Sequence, residues 1–470
     1  MAGRGTAKCK SSLKNMQVAG VPGGSQVSEE QASARGLLLI SYLFPPVGGV
    51  GVQRALSLTK YLPGCGFDVH VLKAKNAAAP VHDAGLLDQI PPEARIHAAF
   101  TPELPSGLRQ TIWSWFMGGN HKSSAGAPTP GRGRGSNWSR FPAEIVRRIL
   151  CPEPEVLWVP FALRAARRIV REQGIQTVVV TVPPFSALLV TTALKREFPH
   201  LHIVADFRDD WLRFYLGEFE YQKSEYTARR AAVIEREAVE LADRVVVVTR
   251  TMLDDIRARY PDVDSQKFVF IPNGYDPENI RAVPRRKQAG NRIVVSHVGT
   301  VYSASSPRFY LDALDDLPDS VRAGIETRFI GRVADSERWC LEGRRSTIKK
   351  LGFVPQSEAV VHMAEADYLL LTMTDAASLT GKLFEYLGTG VPIIAVAPTN
   401  GEVARILQET GAGWCAAPGD RAGLSQLLLR TFERRRGGQD DFRPDWDAIR
   451  RYERPRLVAQ FGRLLESLSQ

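Results

Sequence analysis

The chain has 470 residues, 44% of them apolar and 24% charged, and a formal net charge of +10. That length suits two domains of ordinary size, and the composition is that of a soluble globular protein. The positive surplus suits phosphate-bearing ligands or anionic lipid headgroups; without zinc-finger spacing, a base-reading basic helix or an aromatic RNA-binding signature, nucleic acid is not expected as a partner. Five scattered cysteines (Cys9, Cys65, Cys151, Cys340, Cys415) form no Cys-x-x-Cys pair and read as free thiols in a reducing compartment. No apolar run reaches bilayer length and the basic N-terminus lacks the apolar core of a signal peptide, so a cytoplasmic location is expected.

Residues 1–35, rich in Gly, Ser, Ala and Lys, read as a disordered leader. Residues 36–42 are a strand running into Phe44-Pro45-Pro46-Val47-Gly48-Gly49-Val50-Gly51, with a helix from about Val52 to Leu62. Strand, glycine-rich turn and helix open a doubly wound α/β domain. Gly48 and Gly49 let a ligand approach the backbone, and Gln53 and Arg54 at the helix start can hold a phosphate or an acceptor; Arg54 is equally compatible with a plain surface residue. After a second strand at 69–72, the stretch 76–140 is irregular. It carries aromatic residues at 112–117 and a basic Gly-Arg run at 131–135. Rings interleaved with arginine suit a membrane interface, the alternative being an insertion packed on its own domain. Order returns with strands at 177–181 and 201–205. The second delivers Asp206, Arg208 and Asp209 to the sheet edge where open α/β folds keep their chemistry, and these three are expected to line the acceptor side. Strands at 243–249 and 268–271 complete the first domain (36–285), and residues 281–291, with Pro284, basic residues and Gly290, form a linker.

A second domain (291–440) repeats the pattern, with strands near 293–297, 326–330, 348–353, 368–372, 392–396 and 413–416. Between the strands at 368–372 and 392–396 lies Ser378-Leu379-Thr380-Gly381-Lys382-Leu383-Phe384-Glu385-Tyr386-Leu387-Gly388. Thr380 can cap a short helix whose free amides, at Thr380-Gly381 and onward, attract an anion. Glu385, one turn further in, can accept hydrogen bonds from paired hydroxyls of the same ligand, the geometry a nucleotide sugar needs; the plainer alternative is a solvated glutamate. An amphipathic helix over about 446–468 (445–470) ends the chain and is expected to cross back to the first domain.

The run 380–387 resembles the second half of the donor motif of family 4 glycosyltransferases, and Pro45-Pro46-Val47-Gly48-Gly49 resembles that family's first cleft loop. Pro183-Pro184-Phe185-Ser186, Ala205-Asp206-Phe207-Arg208-Asp209-Asp210-Trp211 and Pro272-Asn273-Gly274-Tyr275-Asp276 resemble further landmarks, so that the likeness covers roughly 37–433. It implies an α/β GT-B architecture, two Rossmann-like domains facing a central cleft. It also implies transfer of a sugar from a nucleoside diphosphate donor to a lipid-linked or polysaccharide acceptor, with retention of configuration, no obligatory metal and no cofactor. Residue by residue, Gly299 and Thr300 fall where donor phosphates are gripped, and Arg332, Arg308 and Lys382 are the accompanying cations. Phe353 and Val354 match the turn that contacts the base, and Lys382, Leu383 and Glu385 belong to the donor motif. The family's earlier glutamate is replaced by Ala377, and Asp375, two positions before, can stand in for it. With Asp209, Arg308 and Lys382, Asp375 completes the catalytic candidates. A sugar-nucleotide epimerase of the same architecture and a catalytically silent GT-B subunit are the alternatives. A lipid-linked acceptor would place the chain peripherally at the inner face of an anionic membrane.

Overall fold

Parallel strands covered on both faces are apolar along their whole length, and such runs build two sheets here. The computed structural model describes residues 34–77, 82–102, 148–213, 225–281, 283, 292–438 and 442–469. Residues 1–33 of the leader, the aromatic and basic stretch 112–141 and most of the linker therefore lie outside the described residues, and Arg35, read as the end of the leader, opens the first strand. The first sheet takes β1 (Arg35–Ile40), β2 (Phe67–Ala74), β3 (Arg95–Ala99), β4 (Thr177–Val182), β5 (His202–Phe207), β6 (Arg244–Val247) and β7 (Phe268–Phe270) in the order β3-β2-β1-β4-β5-β6-β7. The second takes β8 (Ile293–Val298), β9 (Ile325–Ile330), β10 (Thr347–Gly352), β11 (Tyr368–Thr372), β12 (Ile393–Val396) and β13 (Gly413–Ala416) in the order β10-β9-β8-β11-β12-β13. Every strand pairing among the described residues is parallel. Val178, Val179 and Val180 of β4 are wholly buried, as central strands require. In each sheet the strand order reverses once, between β1 and β4 and between β8 and β11, and a crevice opens outside the carboxyl ends at such a point.

Six helices concern the site: α1 (Val50–Tyr61), α2 (Arg250–Arg259), α3 (Gly381–Thr389), α4 (Glu402–Thr410), α5 (Trp446–Arg450) and α6 (Arg454–Glu466). The helix expected over 446–468 is thus two helices. The break falls at Glu453, where Pro455 can sit in the first turn of α6 but could not continue α5. Ile449 and Tyr452 pack in the second lobe's core, whereas Leu457, Val458, Phe461 and Leu465 cover β1, β2 and β4 of the first. The chain therefore crosses between lobes twice. The two crossings lie side by side, with Tyr275 N–H donating to Tyr452 O at 3.0 Å and Arg454 N–H to Tyr275 O at 2.8 Å. A Cβ on Gly274 would stand 2.2 Å from Tyr452 O, which is why the crossing turn carries glycine there.

The strand β3 was not anticipated; it falls in the stretch read as irregular. Arg95, Ile96 and Ala98 of this edge strand are exposed, so it lacks the apolar run that marks its neighbours.

Candidate functional site: a cleft between two sheets

The carboxyl ends of the two sheets face a cleft enclosing about 540 Å³. From the first lobe come Gly49, Gln53 and Arg54 after β1, Pro183 after β4, Arg208 and Asp209 after β5, and Asn273 and Gly274. The second lobe contributes Gly299, Thr300 and Tyr302 after β8, Arg332 after β9, Phe353, Val354 and Gln356 after β10, and Asp375 and Ser378 after β11. Thr380, Gly381, Lys382 and Glu385 of the α3 region complete that wall, and α6 adds Arg454.

The helix α3 is set firmly. Thr380 is its N-cap, in extended conformation, with its hydroxyl accepting from Lys382 N–H, and Gly390 ends it in the left-handed region. Leu383, Phe384, Tyr386 and Leu387 are buried below it. The Tyr386 hydroxyl accepts from Val298 N–H at 2.8 Å, pinning the helix to the end of β8. Thr380 and Gly381, at the start of the helix, line the cleft, while the amides of Lys382 and Leu383 are taken by the Thr380 hydroxyl and Thr380 O. Lys382 Nζ donates to Thr300 O at 3.1 Å and lies 3.3 Å from Nε2 of His297. Burial pushes the Lys382 ammonium down to about 8, partly offset by Glu385. Burial, with Lys382 beside it, drives His297 well below its ordinary value, so the ring is neutral and Nε2 can accept from the ammonium. Glu385, one turn on, has its carboxyl raised by burial and drawn back chiefly by Arg454, with Gln356 Nε2 at 3.4 Å.

The glycine turn after β9 shows how close these loops pack. Gly331 has φ +131°, and a Cβ there would lie 2.4 Å from Gly299 O. Only glycine lets these two loops sit together.

Several site expectations are corrected by the geometry. Asp206 does not line the cleft: it is wholly buried, bonded to Arg54 at 2.7–2.9 Å, and the same guanidinium reaches Pro272 O at 3.0 Å. Arg54 is at the wall, but Asp206 holds it in place. Leu383 points into the second lobe's core and cannot touch a donor through its side chain. Arg308 stands outside the wall, exposed, its guanidinium 4.4 Å from the Phe309 ring centroid. The short turn Ser303–Ser305 lies between it and Gly299. Gly49 rather than Gly48 forms the wall. Arg208 reaches the cleft while donating to Gly51 O and Pro183 O, so it also ties the β1 and β4 loops. Asp209 and Tyr302 are open to solvent at the cleft, but the surrounding protein still disfavours their charged forms. Desolvation raises the Asp209 carboxyl, with Arg208 opposing, and desolvation together with Asp209 raises the Tyr302 hydroxyl from the facing lobe. Asp375 lines the cleft with Oδ2 accepting from Ser378 N–H at 2.8 Å, and Arg213 lies 3.9 Å away.

Three residues at the site carry no sequence signal of their own: His297, Gln356 and Arg454. Gln356 directly follows the Phe353-Val354-Pro355 turn, and Arg454 begins the returning helix, so the crossing back to the first lobe is the feature that points to it.

Residues 120–279 match the model of Glycosyltransferase Family 4. The probable glycosyltransferase WbjE of Pseudomonas aeruginosa is 27% identical over 199 residues, covering 40% of this chain and 49% of WbjE, so the chain spans about half the length of that curated relative. Among solved structures, Anabaena HepE in complex with UDP and glucose superposes with a TM-score of 0.59 at 15% identity, over 92% of this chain and 99% of that one. The lipopolysaccharide outer core galactosyltransferase WaaB gives 0.56 at 14% identity, over 92% and 99%. The architecture is GT-B, two Rossmann-like lobes around a cleft, and the chain is similar to family 4 glycosyltransferases. Among the described residues no helix is long and apolar enough to cross a membrane.

Proposed function

We propose that this chain is a glycosyltransferase that seats a nucleoside diphosphate sugar on the second lobe and passes the sugar to a hydroxyl presented from the first. One arrangement carries the reading. The start of α3 at Thr380 and Gly381, the Lys382 ammonium and Arg332 share one wall, and Glu385 lies one turn deeper on the same helix. A diphosphate at the helix start and a ribose against Glu385 fill that wall as one ligand. HepE, solved with UDP and glucose, has the same fold, which supports a nucleotide-sugar donor here.

Chemistry follows from charge. As the sugar–phosphate bond breaks, negative charge grows on the diphosphate, and Lys382, Arg332 and the amides of α3 are already aimed at it. These groups, rather than a metal, offset the leaving-group charge in this reading. Asp209 and Asp375 stand at the cleft where the acceptor hydroxyl and the donor sugar would meet. The anomeric configuration is retained, and the acceptor is a lipid-linked or polysaccharide intermediate; a lipid acceptor brings the chain, with its +10 charge, to an anionic membrane face.

Incubation of the protein and membranes with radiolabelled nucleotide sugars tests the proposal. Label recovered in lipid or glycan, with the product anomer matching the donor by NMR, is the expected result. An epimerised free donor would assign an epimerase, and no turnover of any donor would assign a silent subunit.

A further inference from the structure

A chain of four side chains joins Arg454 to Glu385 across both lobes. Arg454 Nη1 donates to Gln53 Oε1 at 2.9 Å, Gln53 Nε2 to Gln356 Oε1 at 3.3 Å, and Gln356 Nε2 to Glu385 Oε1 at 3.4 Å. The direction is fixed at both ends, because a guanidinium only donates and a carboxylate only accepts. Turning either amide around would set donor against donor or acceptor against acceptor. The two amide dipoles are therefore aligned with the ion pair that they bridge, and each bond polarises the next. Arg454 itself is 8% exposed, and its Nε is spent on Gly274 O at 3.0 Å, so the guanidinium cannot turn elsewhere. Gln53 belongs to α1 of the first lobe, Gln356 and Glu385 to the second, and Arg454 to the returning helix.

We propose that Arg454, Gln53 and Gln356 are positioning residues that orient Glu385 and keep it ionised for the donor, so that the nucleotide site is complete only when the two lobes and the returning helix are together. The inference rests on the donor reading above. The charged groups around Glu385 are Lys382 on its own helix and Arg454 from α6, with Asp276 and Tyr61 behind Arg454 and the buried Tyr386 alongside. His297, beyond Lys382, stays neutral across the window that matters. Of these, Arg454 opposes the upward push of burial on Glu385 most strongly. Removing its charge lets the carboxyl rise further, and the affinity for a ligand that needs the carboxylate is then lost at a higher pH as the solution is acidified.

Titration calorimetry of the full-length protein with UDP, GDP and ADP in turn, from pH 5 to 8, tests this. For whichever nucleotide binds, Arg454→Met moves the acid fall-off in affinity upward in pH, whereas Arg454→Lys, which keeps the charge, leaves it near the wild-type position. Gln53→Leu, which removes a neutral link and leaves the α6 backbone alone, weakens binding about 3- to 10-fold without moving the fall-off. A purely structural role for Arg454 would change thermal stability and leave the pH profile in place. Wild-type affinity in Gln53→Leu together with an unmoved profile in Arg454→Met overturns the relay alone. A wild-type protein that binds none of the three nucleotides overturns the donor reading and the relay with it.

Discussion

Lys382 is the group whose behaviour separates a diphosphate site from an accidental cation in a cleft. Its ammonium sits between Thr300 O and a neutral histidine, and burial holds it at about 8 against an ordinary value of 10.5. A diphosphate arriving about 4 Å away contributes on the order of 4 kcal/mol at an effective dielectric of about 20. That is roughly three units of pKa, enough to restore the ordinary value. The bound state then holds its proton where the free state has begun to lose it, so nucleotide binding takes up protons. At pH 7 uptake from this group is about a tenth of a proton, at pH 8 about a half, and at pH 9 about nine-tenths. Affinity correspondingly falls towards tenfold per pH unit above about 8.5. Calorimetry in pairs of buffers with different ionisation enthalpies measures the uptake directly, and a Lys382→Met variant run in parallel cancels titration of the nucleotide itself. Uptake that does not grow between pH 7 and 9, or that persists in the methionine variant, would show that the phosphate does not meet Lys382.

Two further perturbations probe the same wall. Glu385→Gln keeps the shape and removes the charge; nucleotide binding should weaken by about 1–3 kcal/mol while the melting temperature holds, and an unchanged calorimetric affinity removes Glu385 from the site. Gly331→Ala forces a side chain into a backbone of φ +131° and against Gly299 O. It should lower unfolding stability by at least about 1–3 kcal/mol in urea and degrade nucleotide binding, and an unshifted denaturation midpoint would show the two loops to be free to part.

What was legible in the chain follows from how each residue is used. Residues 177–181 and 368–372 declare themselves because a strand buried on both faces must be apolar throughout, and the loops after them then fall at the sheet's carboxyl edge. Thr380, Lys382 and Glu385 are legible because a cap, a cation and an acid on one short helix keep fixed relative positions whatever surrounds them. Asp206 was misplaced because its role depends on α1: only the folded chain brings Arg54 over β5 to meet it. Arg308 was misplaced because the turn Ser303–Ser305 lies between it and Gly299, and a turn is enough to carry a side chain past a rim. Gln53, Gln356 and Arg454 lie some 300 and 100 residues apart, and their hydrogen bonds run between the lobes and the returning helix, so no local pattern announces them.

Position 377 poses the last question, since a carboxylate expected there is absent. The loop around it is fastened on all sides: Met373 N–H to Val396 O at 2.9 Å, Thr374 N–H to Ala304 O at 3.0 Å, and Glu402 N–H to Ala376 O at 2.8 Å. Glu402, the first residue of α4, in turn accepts from Thr251 N–H at 2.8 Å and Oγ at 3.0 Å, at the start of α2 in the other lobe. Ala377 is buried in that loop, 9% exposed, and a longer side chain there would have to displace it. Asp375 needs no such displacement, because it already lines the cleft with one oxygen on Ser378 N–H. Its other oxygen is 3.9 Å from Arg213. Asp375→Asn preserves an oxygen for the Ser378 bond, so the loop keeps its form and the change is one of charge. If Asp375 meets the donor sugar as positive charge builds at the reacting carbon, turnover should fall about tenfold or more while UDP affinity stays level, the signature of an interaction made chiefly in the transition state. Equal turnover in the two proteins would place the whole of transition-state stabilisation on Lys382, Arg332 and the amides of α3, leaving Asp375 to shape the loop.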